Sequence, residues 1–206
     1  MRKEIFCHSD FYVKSNKTLF LQNKMIPLKN YGVECMSMGF LVDPQQAVVW
    51  RGPMVMGAIE KMAFGTLWNS LDVLLVDLPP GTGDIHLSIA QNLNNITGAI
   101  IVSTPQKVAL ADAKKAVKMF NLVNIPILGL VENMSAFCCP KCNETTYVFG
   151  DTHELLENVP TLGKVPLEVE IMKNADEGTP IIITHPESNA TMTYQSICDR
   201  IVSVLQ

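Results

Sequence analysis

The sequence contains no apolar run of the roughly 18–20 residues that a helix needs to cross a bilayer, so we expect no membrane span. It also lacks a dense basic run: 16 basic residues are scattered among 20 acidic ones, which gives no electrostatic footprint for nucleic acid. Charged residues make up only 17% of the chain and hydrophobic residues 48%, which excludes the composition of a disordered protein. We therefore expect a folded chain with one hydrophobic core.

The phosphate-binding motif G-x-x-x-x-G-K-[ST] is missing as well. The pair Gly163-Lys164 is followed by Val165, and no glycine stands five positions before Gly163. Without the backbone amides and the lysine of that loop, the β- and γ-phosphates of a nucleotide lose their main binding groups. The sequence therefore gives no basis for assigning ATP hydrolysis to this chain alone, and whether it is an enzyme stays open.

The sequence has too little cysteine for a disulfide scaffold, since it contains only six cysteines in 206 residues. Three of them, Cys138, Cys139 and Cys142, fall within five positions, a clustering that favours metal or redox chemistry. In the string C-P-K-C of residues 139–142, the intervening turn brings both sulfurs to the same side, where they can bind one metal.

Three interpretations of this string remain open. A redox dithiol would be expected at a helix N-terminus, and the β-rich residues that follow argue against it. A zinc site needs two more ligands, from Cys138, His153 or another molecule. Alternatively, two copies of the chain each contribute Cys139 and Cys142 across a two-fold axis, and both zinc and an iron–sulfur cluster accept the resulting four thiolates.

The chain alternates short apolar runs with amphipathic segments, which predicts an α/β fold with a mostly parallel, doubly wound sheet in a single domain. The predicted helices cover residues 54–67, 84–93, 108–123 and 190–205. The predicted strands cover residues 73–76, 99–103, 127–131, 145–149, 163–165 and 181–183.

The most specific local string is DLPPGTGD, residues 77–84, directly after an apolar run. Ligands of doubly wound sheets bind outside the carboxyl ends of the strands, so Asp77 is placed to face a phosphate and to hold its Mg²⁺ through water. Gly81 and Gly83 allow close approach of the backbone, and Asp84 is also suited to cap the following helix.

Taken together, these motifs resemble the Mrp/NUBPL family of cluster-binding ATPases, which are related to the MinD-type P-loop fold. The resemblance runs through residues 22–206 and is carried by YGVECMSMGFLV, VVWRGPMVMGAIEK, DVLLVDLPPGTGD, GAIIVSTPQ, LGLVENMS and CPKC. The segments MSMGFLV and WRGPMVM resemble the NUBPL branch more closely than the cytosolic branch. This resemblance implies a mitochondrial protein that serves the assembly of respiratory complex I. A cytoplasmic location is the alternative.

The resemblance implies roles at matching positions. Cys139 and Cys142 would bind a bridging four-iron four-sulfur cluster in a homodimer, for delivery to apo iron–sulfur proteins such as complex I subunits. Asp77 would be the Walker-B carboxylate for Mg²⁺ and ATP. The remaining implied nucleotide contacts are the switch loop with Pro79, Gly81, Gly83 and Asp84, the base-reading Asn133, and Pro166 beside the base.

Residues 1–21 carry none of the motifs of this resemblance, whereas members of the family open with a strand and a glycine-rich P-loop. The absent strand is normally central, so we expect an N-terminally incomplete domain with unpaired backbone groups beside residues 73–76. The alternative to cluster carriage is a zinc-stabilised, non-catalytic interaction protein or a truncated ATPase.

Overall fold

The computed structural model describes residues 20–21, 23–41, 52–78, 86–87, 93, 96–151, 156 and 158–205. The chain divides into two compact units, residues 1–96 and 97–206. Within the described residues, no helix is both long and apolar enough to span a membrane.

The first unit begins with two small antiparallel pairs. Strand β1 (Phe20–Leu21) pairs with β2 (Lys24–Met25), and β3 (Leu28–Asn30) pairs with β4 (Val33–Cys35). The β3–β4 turn has positive φ at both central residues, 47° at Tyr31 and 82° at Gly32. Two-residue hairpins favour this geometry because its twist matches that of the flanking strands.

Helix α1 (Gly52–Phe64) confirms the helix that the sequence predicted at residues 54–67, with both ends shifted towards the N-terminus. The backbone of Met25 connects it to the small strands, because Met25 N donates to Gly65 O at 2.8 Å and Leu67 N donates to Met25 O at 2.7 Å. Met25, Met36 and Met62 form a buried cluster beneath these contacts. Flexible methionine side chains fill such an irregular gap between short elements.

The predicted strand at residues 73–76 is wrong for the described structure. Residues 73 and 75 are isolated bridge positions, not members of a ladder. Leu74 is buried, whereas Val73 is 38% exposed and Leu75 48% exposed. The side chains still alternate between two faces, but a strand also needs a neighbouring ladder of hydrogen bonds along its length. Of the predicted helix at residues 84–93, the structure describes residues 86, 87 and 93, and residues 86 and 87 are helical.

The second unit holds a parallel sheet and a hairpin. The strands of this unit are β5 (Ala99–Ser103), β6 (Ile127–Glu132), β7 (Phe137–Cys138), β8 (Thr145–Thr146) and β9 (Thr161–Lys164). Strands β5, β6 and β9 lie side by side in that order and run parallel, while β7 and β8 form a separate antiparallel hairpin. The predicted strands at residues 99–103 and 127–131 are therefore confirmed, and those at 145–149 and 163–165 are confirmed with different bounds.

Helix α2 (Lys107–Leu122) connects β5 to β6 and confirms the predicted helix at residues 108–123. Its buried side chains lie on one face, the pattern of an amphipathic helix covering a sheet: Leu110, Ala113, Met119 and Phe120. Strand, helix and parallel strand follow one another, which is the βαβ unit that the sequence predicted.

Three helices follow β9: α3 (Val169–Asp176), α4 (Ile181–Thr184) and α5 (Asn189–Leu205). Helix α5 confirms the predicted closing helix, and its Ile197 packs with Val131, Leu162 and Val165 in a buried cluster against the sheet.

The predicted strand at residues 181–183 is wrong, because this β-branched run forms the single helical turn α4. The buried Asn174 Oδ1 accepts a hydrogen bond of 2.7 Å from Thr184 Oγ1, and Thr191 Oγ1 donates to His185 O at 2.8 Å. These two contacts hold the C-terminal end of the turn, and Thr191 Oγ1 also donates to Ile181 O at 3.4 Å at its start. Together these tertiary contacts outweigh the local preference of isoleucine for strands.

Candidate functional site

The C-P-K-C string lies at the tip of the β7–β8 hairpin. Phe137 pairs with Thr146 and Cys138 with Thr145, so the two strands hold the two ends of the loop of residues 139–144 together. Two backbone hydrogen bonds extend this pairing: Cys139 N donates to Glu144 O at 2.9 Å, and Asn143 N donates to Cys139 O at 2.8 Å. The two cysteines are therefore held on one tight turn, as their spacing predicted.

The Cys139 sulfur is the centre of this turn. The backbone amide of Cys142 donates to it, the amide of Lys141 donates as well, and the Cys142 thiol also hydrogen-bonds to it. These donors, in that order, hold the pKa of Cys139 below its ordinary value, because they stabilise the thiolate. Thiolates are the form of cysteine that binds metal. The turn, which we call the knuckle (residues 139–144), thus favours the metal-binding thiolate form of Cys139.

The knuckle is open to solvent, since Cys142 is exposed and Cys139 is only partly covered. Across the described part of the chain, no three His, Cys, Asp or Glu side chains converge well enough to hold a metal ion. Cys138 precedes Cys139 directly in the strand direction, and successive side chains of a strand point to opposite faces. His153, the other zinc ligand considered from the sequence, lies outside the described residues. Within the described residues, the turn thus offers two sulfurs from one chain where a tetrahedral site needs four ligands.

Asn133 and Pro166 come together at the carboxyl ends of β6 and β9. Three backbone hydrogen bonds join their segments: Val165 N to Glu132 O at 2.8 Å, Ser135 N to Val165 O at 2.9 Å, and Leu167 N to Ala136 O at 2.9 Å. Both residues are half-buried. The Asn133 side chain is held locally, because its Oδ1 accepts from Met134 N at 3.0 Å.

An ion pair that the sequence analysis missed lies beside them. Lys164 Nζ is 3.1 Å from Glu132 Oε2, and the two residues are paired across β6 and β9. Sequence reasoning treated Lys164 only as part of a failed P-loop match. Glu132 and Lys164 come together because the ends of β6 and β9 pair in parallel. The sequence does not determine this register, so it could not predict the ion pair.

The predicted switch region is only partly described. Asp77 is exposed and follows residues 73–76, which do not form a ladder. Pro79, Gly81, Gly83 and Asp84 lie outside the described residues. Their nucleotide-binding roles stay predictions.

A family model described as "ParA: NUBPL iron-transfer P-loop NTPase" matches residues 9–202, nearly the whole chain. The chain belongs to the NUBPL family. Two relatives agree with this match. The chain is 50% identical over 187 residues to the "Iron-sulfur protein required for NADH dehydrogenase, mitochondrial" of Arabidopsis thaliana, covering 89% of this chain and 59% of that protein. It is 48% identical over 198 residues to the "Iron-sulfur cluster transfer protein NUBPL" of Mus musculus, covering 94% and 62%. The chain therefore spans about three fifths of the length of these NUBPL relatives.

Solved structures place the NUBPL chain in the MinD-like P-loop fold and confirm the predicted α/β class. A nucleotide-binding protein from Archaeoglobus fulgidus, in complex with ADP, matches with a TM-score of 0.69 and 31% identity, covering 87% of this chain and 70% of that one. The cell division ATPase MinD of Pyrococcus furiosus shares the fold, with a TM-score of 0.52 and 22% identity over 65% of this chain and 53% of that one.

Proposed function

We propose that this protein carries iron–sulfur clusters and delivers them to apo iron–sulfur proteins. The observation that carries the proposal is the exposed knuckle, in which Cys139 and Cys142 share one turn and backbone amides donate to the Cys139 sulfur. Membership of a family described by iron transfer supports iron as the cargo. An exposed site suits a carrier, because the recipient's own thiolates must reach the cluster before it can leave.

The proposed cargo is a four-iron four-sulfur cluster shared by two copies of the chain. Each copy supplies two cysteine thiolates, and a cluster of this type takes four. A two-fold axis through the cluster makes the two halves of the site equivalent. The absence of a third converging ligand within the described residues supports this arrangement over a site completed by one chain.

Complex I subunits are the proposed recipients, in mitochondria. The support is the similarity to the Arabidopsis protein, whose name states a requirement for NADH dehydrogenase and a mitochondrial location. A cytoplasmic location with other recipients is the alternative.

Nucleotide binding is a second candidate function, favoured by one observation. Asn133 and Pro166, for which the family resemblance implies contacts with the base, lie on two segments joined by hydrogen bonds at the carboxyl ends of parallel strands. Ligands of such sheets bind at that edge. We propose that this edge binds the adenine of ATP. The phosphate and Mg²⁺ roles that the family resemblance implies for Asp77, Pro79, Gly81, Gly83 and Asp84 stay predictions. Calorimetric titration with ADP tests it, and the absence of binding heat at millimolar ADP contradicts it.

Anaerobic reconstitution with iron and sulfide tests the cluster-carrier proposal. The wild type should gain thiolate-to-iron absorption, and the double variant Cys139→Ser/Cys142→Ser should not. Cys198→Ser is the matched control, because Cys198 is an exposed thiol on helix α5, away from the knuckle in sequence. Cys138→Ser separates the readings further: loss of metal in this variant would favour a zinc site that uses Cys138. Equal iron in the wild type and the double variant would contradict the proposal.

A further inference from the structure

Asn143 lies near the end of the knuckle and has a backbone conformation that few residues adopt. Its φ is 58°, in the left-handed region. Among residues other than glycine, asparagine enters this region most readily, because its short polar side chain tolerates the contacts that exclude larger or branched residues. Four of the six non-glycine residues with positive φ in the described structure are asparagines: Asn23, Asn124, Asn143 and Asn158.

This conformation decides where the chain goes after Cys142. Asn143 N donates to Cys139 O at 2.8 Å, and the next residue accepts through Glu144 O from Cys139 N at 2.9 Å. In short hairpin loops, a left-handed residue after a turn leads the chain back into the second strand, as in three-residue loops. Without it, Glu144 could not return to pair with Cys139, and β8 would lose its register.

The same closure fixes the donors on the sulfur. The amides of Lys141 and Cys142 donate to Cys139 Sγ, and both amides belong to the turn that Asn143 ends. The turn is short, so its amides converge on the sulfur only while the two backbone bonds around Cys139 are intact. The Asn143 side chain is exposed, whereas its backbone N–H bonds to Cys139 O within the turn.

We propose, building on the cluster-carrier function above, that Asn143 is a positioning residue for the metal site: its left-handed backbone holds Cys139 and Cys142 in the geometry that binds metal. Glycine should replace it without loss, because glycine adopts positive φ at no steric cost. Alanine should not, although it differs from glycine by one methyl group.

Cobalt is the probe, because Co²⁺ bound by thiolates gives charge-transfer and ligand-field bands in the visible range. Anaerobic Co²⁺ titrations compare the wild type, Asn143→Gly and Asn143→Ala. We expect the glycine variant to bind within about twofold of the wild type. The alanine variant should bind roughly 5- to 30-fold more weakly, the effect of one strained left-handed residue on a local equilibrium.

Two outcomes overturn the proposal. If both variants weaken equally, the side-chain amide of Asn143 matters and the backbone conformation does not. If alanine lowers only the thermal unfolding midpoint and leaves cobalt affinity and band positions unchanged, Asn143 is merely structural. Missing thiolate bands in the wild type overturn it as well. A wild type that binds cobalt normally but gains no cluster on reconstitution contradicts the proposed function and leaves the role of Asn143 standing.

Discussion

Lys164 Nζ lies 3.1 Å from Glu132 Oε2, across the paired ends of strands β6 and β9. The Glu132 side chain is only 3% exposed, whereas that of Lys164 is 51% exposed. Apart from this ion pair, Glu132 Oε2 accepts no hydrogen bond of good geometry among the described residues, so the Lys164 ammonium compensates for the burial of this oxygen. This ion pair joins the sheet beside Asn133 and Pro166, where the segments of the proposed adenine site meet.

Replacing Lys164 by methionine should destabilise the protein by about 1–3 kcal/mol, because it leaves a buried carboxylate without its partner. Urea unfolding followed by circular dichroism measures the change. Lys115→Met is the matched control: its ion pair with Asp112 is largely exposed on both sides and should change stability by less than about 0.5 kcal/mol.

Adding Glu132→Gln to Lys164→Met should recover part of the loss, since the double variant buries no charge. Strict additivity of the two substitutions would contradict this account, because residues that interact do not contribute independently.

Two glycines should respond to alanine in opposite directions. A Cβ at Gly163 would lie 2.5 Å from Ile197 Cγ1, inside the cluster between the sheet and helix α5. We expect Gly163→Ala to cost about 1–3 kcal/mol through overpacking. Gly57 is exposed on helix α1 with open space around its Cβ position, so Gly57→Ala should stabilise by about 0.5–1 kcal/mol through helix propensity.

Thermal unfolding of both glycine variants, beside the wild type, provides the measurement. Combining Gly163→Ala with Ile197→Ala tests the cause, because alanine at residue 197 removes both Cγ1 and Cδ1, the atoms that would lie 2.5 and 2.8 Å from the new methyl group. The combined variant should lose less stability than the sum of the two single variants. A Gly163→Ala variant as stable as the wild type would show that helix α5 shifts freely, against the packing described.

The lowered pKa of Cys139 should be visible in its alkylation. Below the ordinary thiol pKa, a larger thiolate fraction makes Cys139 react faster with iodoacetamide in the folded protein than in urea. The stabilisation of the thiolate by the knuckle is present above the unfolded pKa and is lost as pH falls through the lowered folded value. Mass spectrometry of the Cys139 peptide across pH 5–10 measures the profile. Identical profiles in the folded and unfolded protein would contradict the amide contacts.

The parts of the fold that the sequence predicted are those with local signals. Strand β5, helix α2 and strand β6 follow one another within 34 residues, and each carries its own apolar period. Residues 73–76 carry an equally apolar pattern, but a strand depends on a neighbour that the pattern does not name. The strand prediction at residues 181–183 was wrong for a related reason. Asn174 and Thr191, which lie on neighbouring helices, bond to this segment and outweigh its preference for a strand.

The candidate site shows the same division. The spacing of Cys139 and Cys142 predicted that both sulfurs share one turn. It could not predict that two backbone amides donate hydrogen bonds to the Cys139 sulfur. Nor could it predict that Asn143 adopts a left-handed backbone conformation at the end of this turn. These features depend on the dihedral angles of the hairpin, which composition and spacing leave undetermined. Glu132 and Lys164 lie 32 positions apart in the sequence, and only the register of β6 and β9 joins them.

The most direct test of the account is the content of iron, acid-labile sulfide and zinc per chain, measured on anaerobically purified protein together with its native mass. The account predicts a dimer that holds about four irons, about four sulfides and no zinc. Zinc alone, or a monomer without metal after reconstitution, would contradict a cluster shared through Cys139 and Cys142.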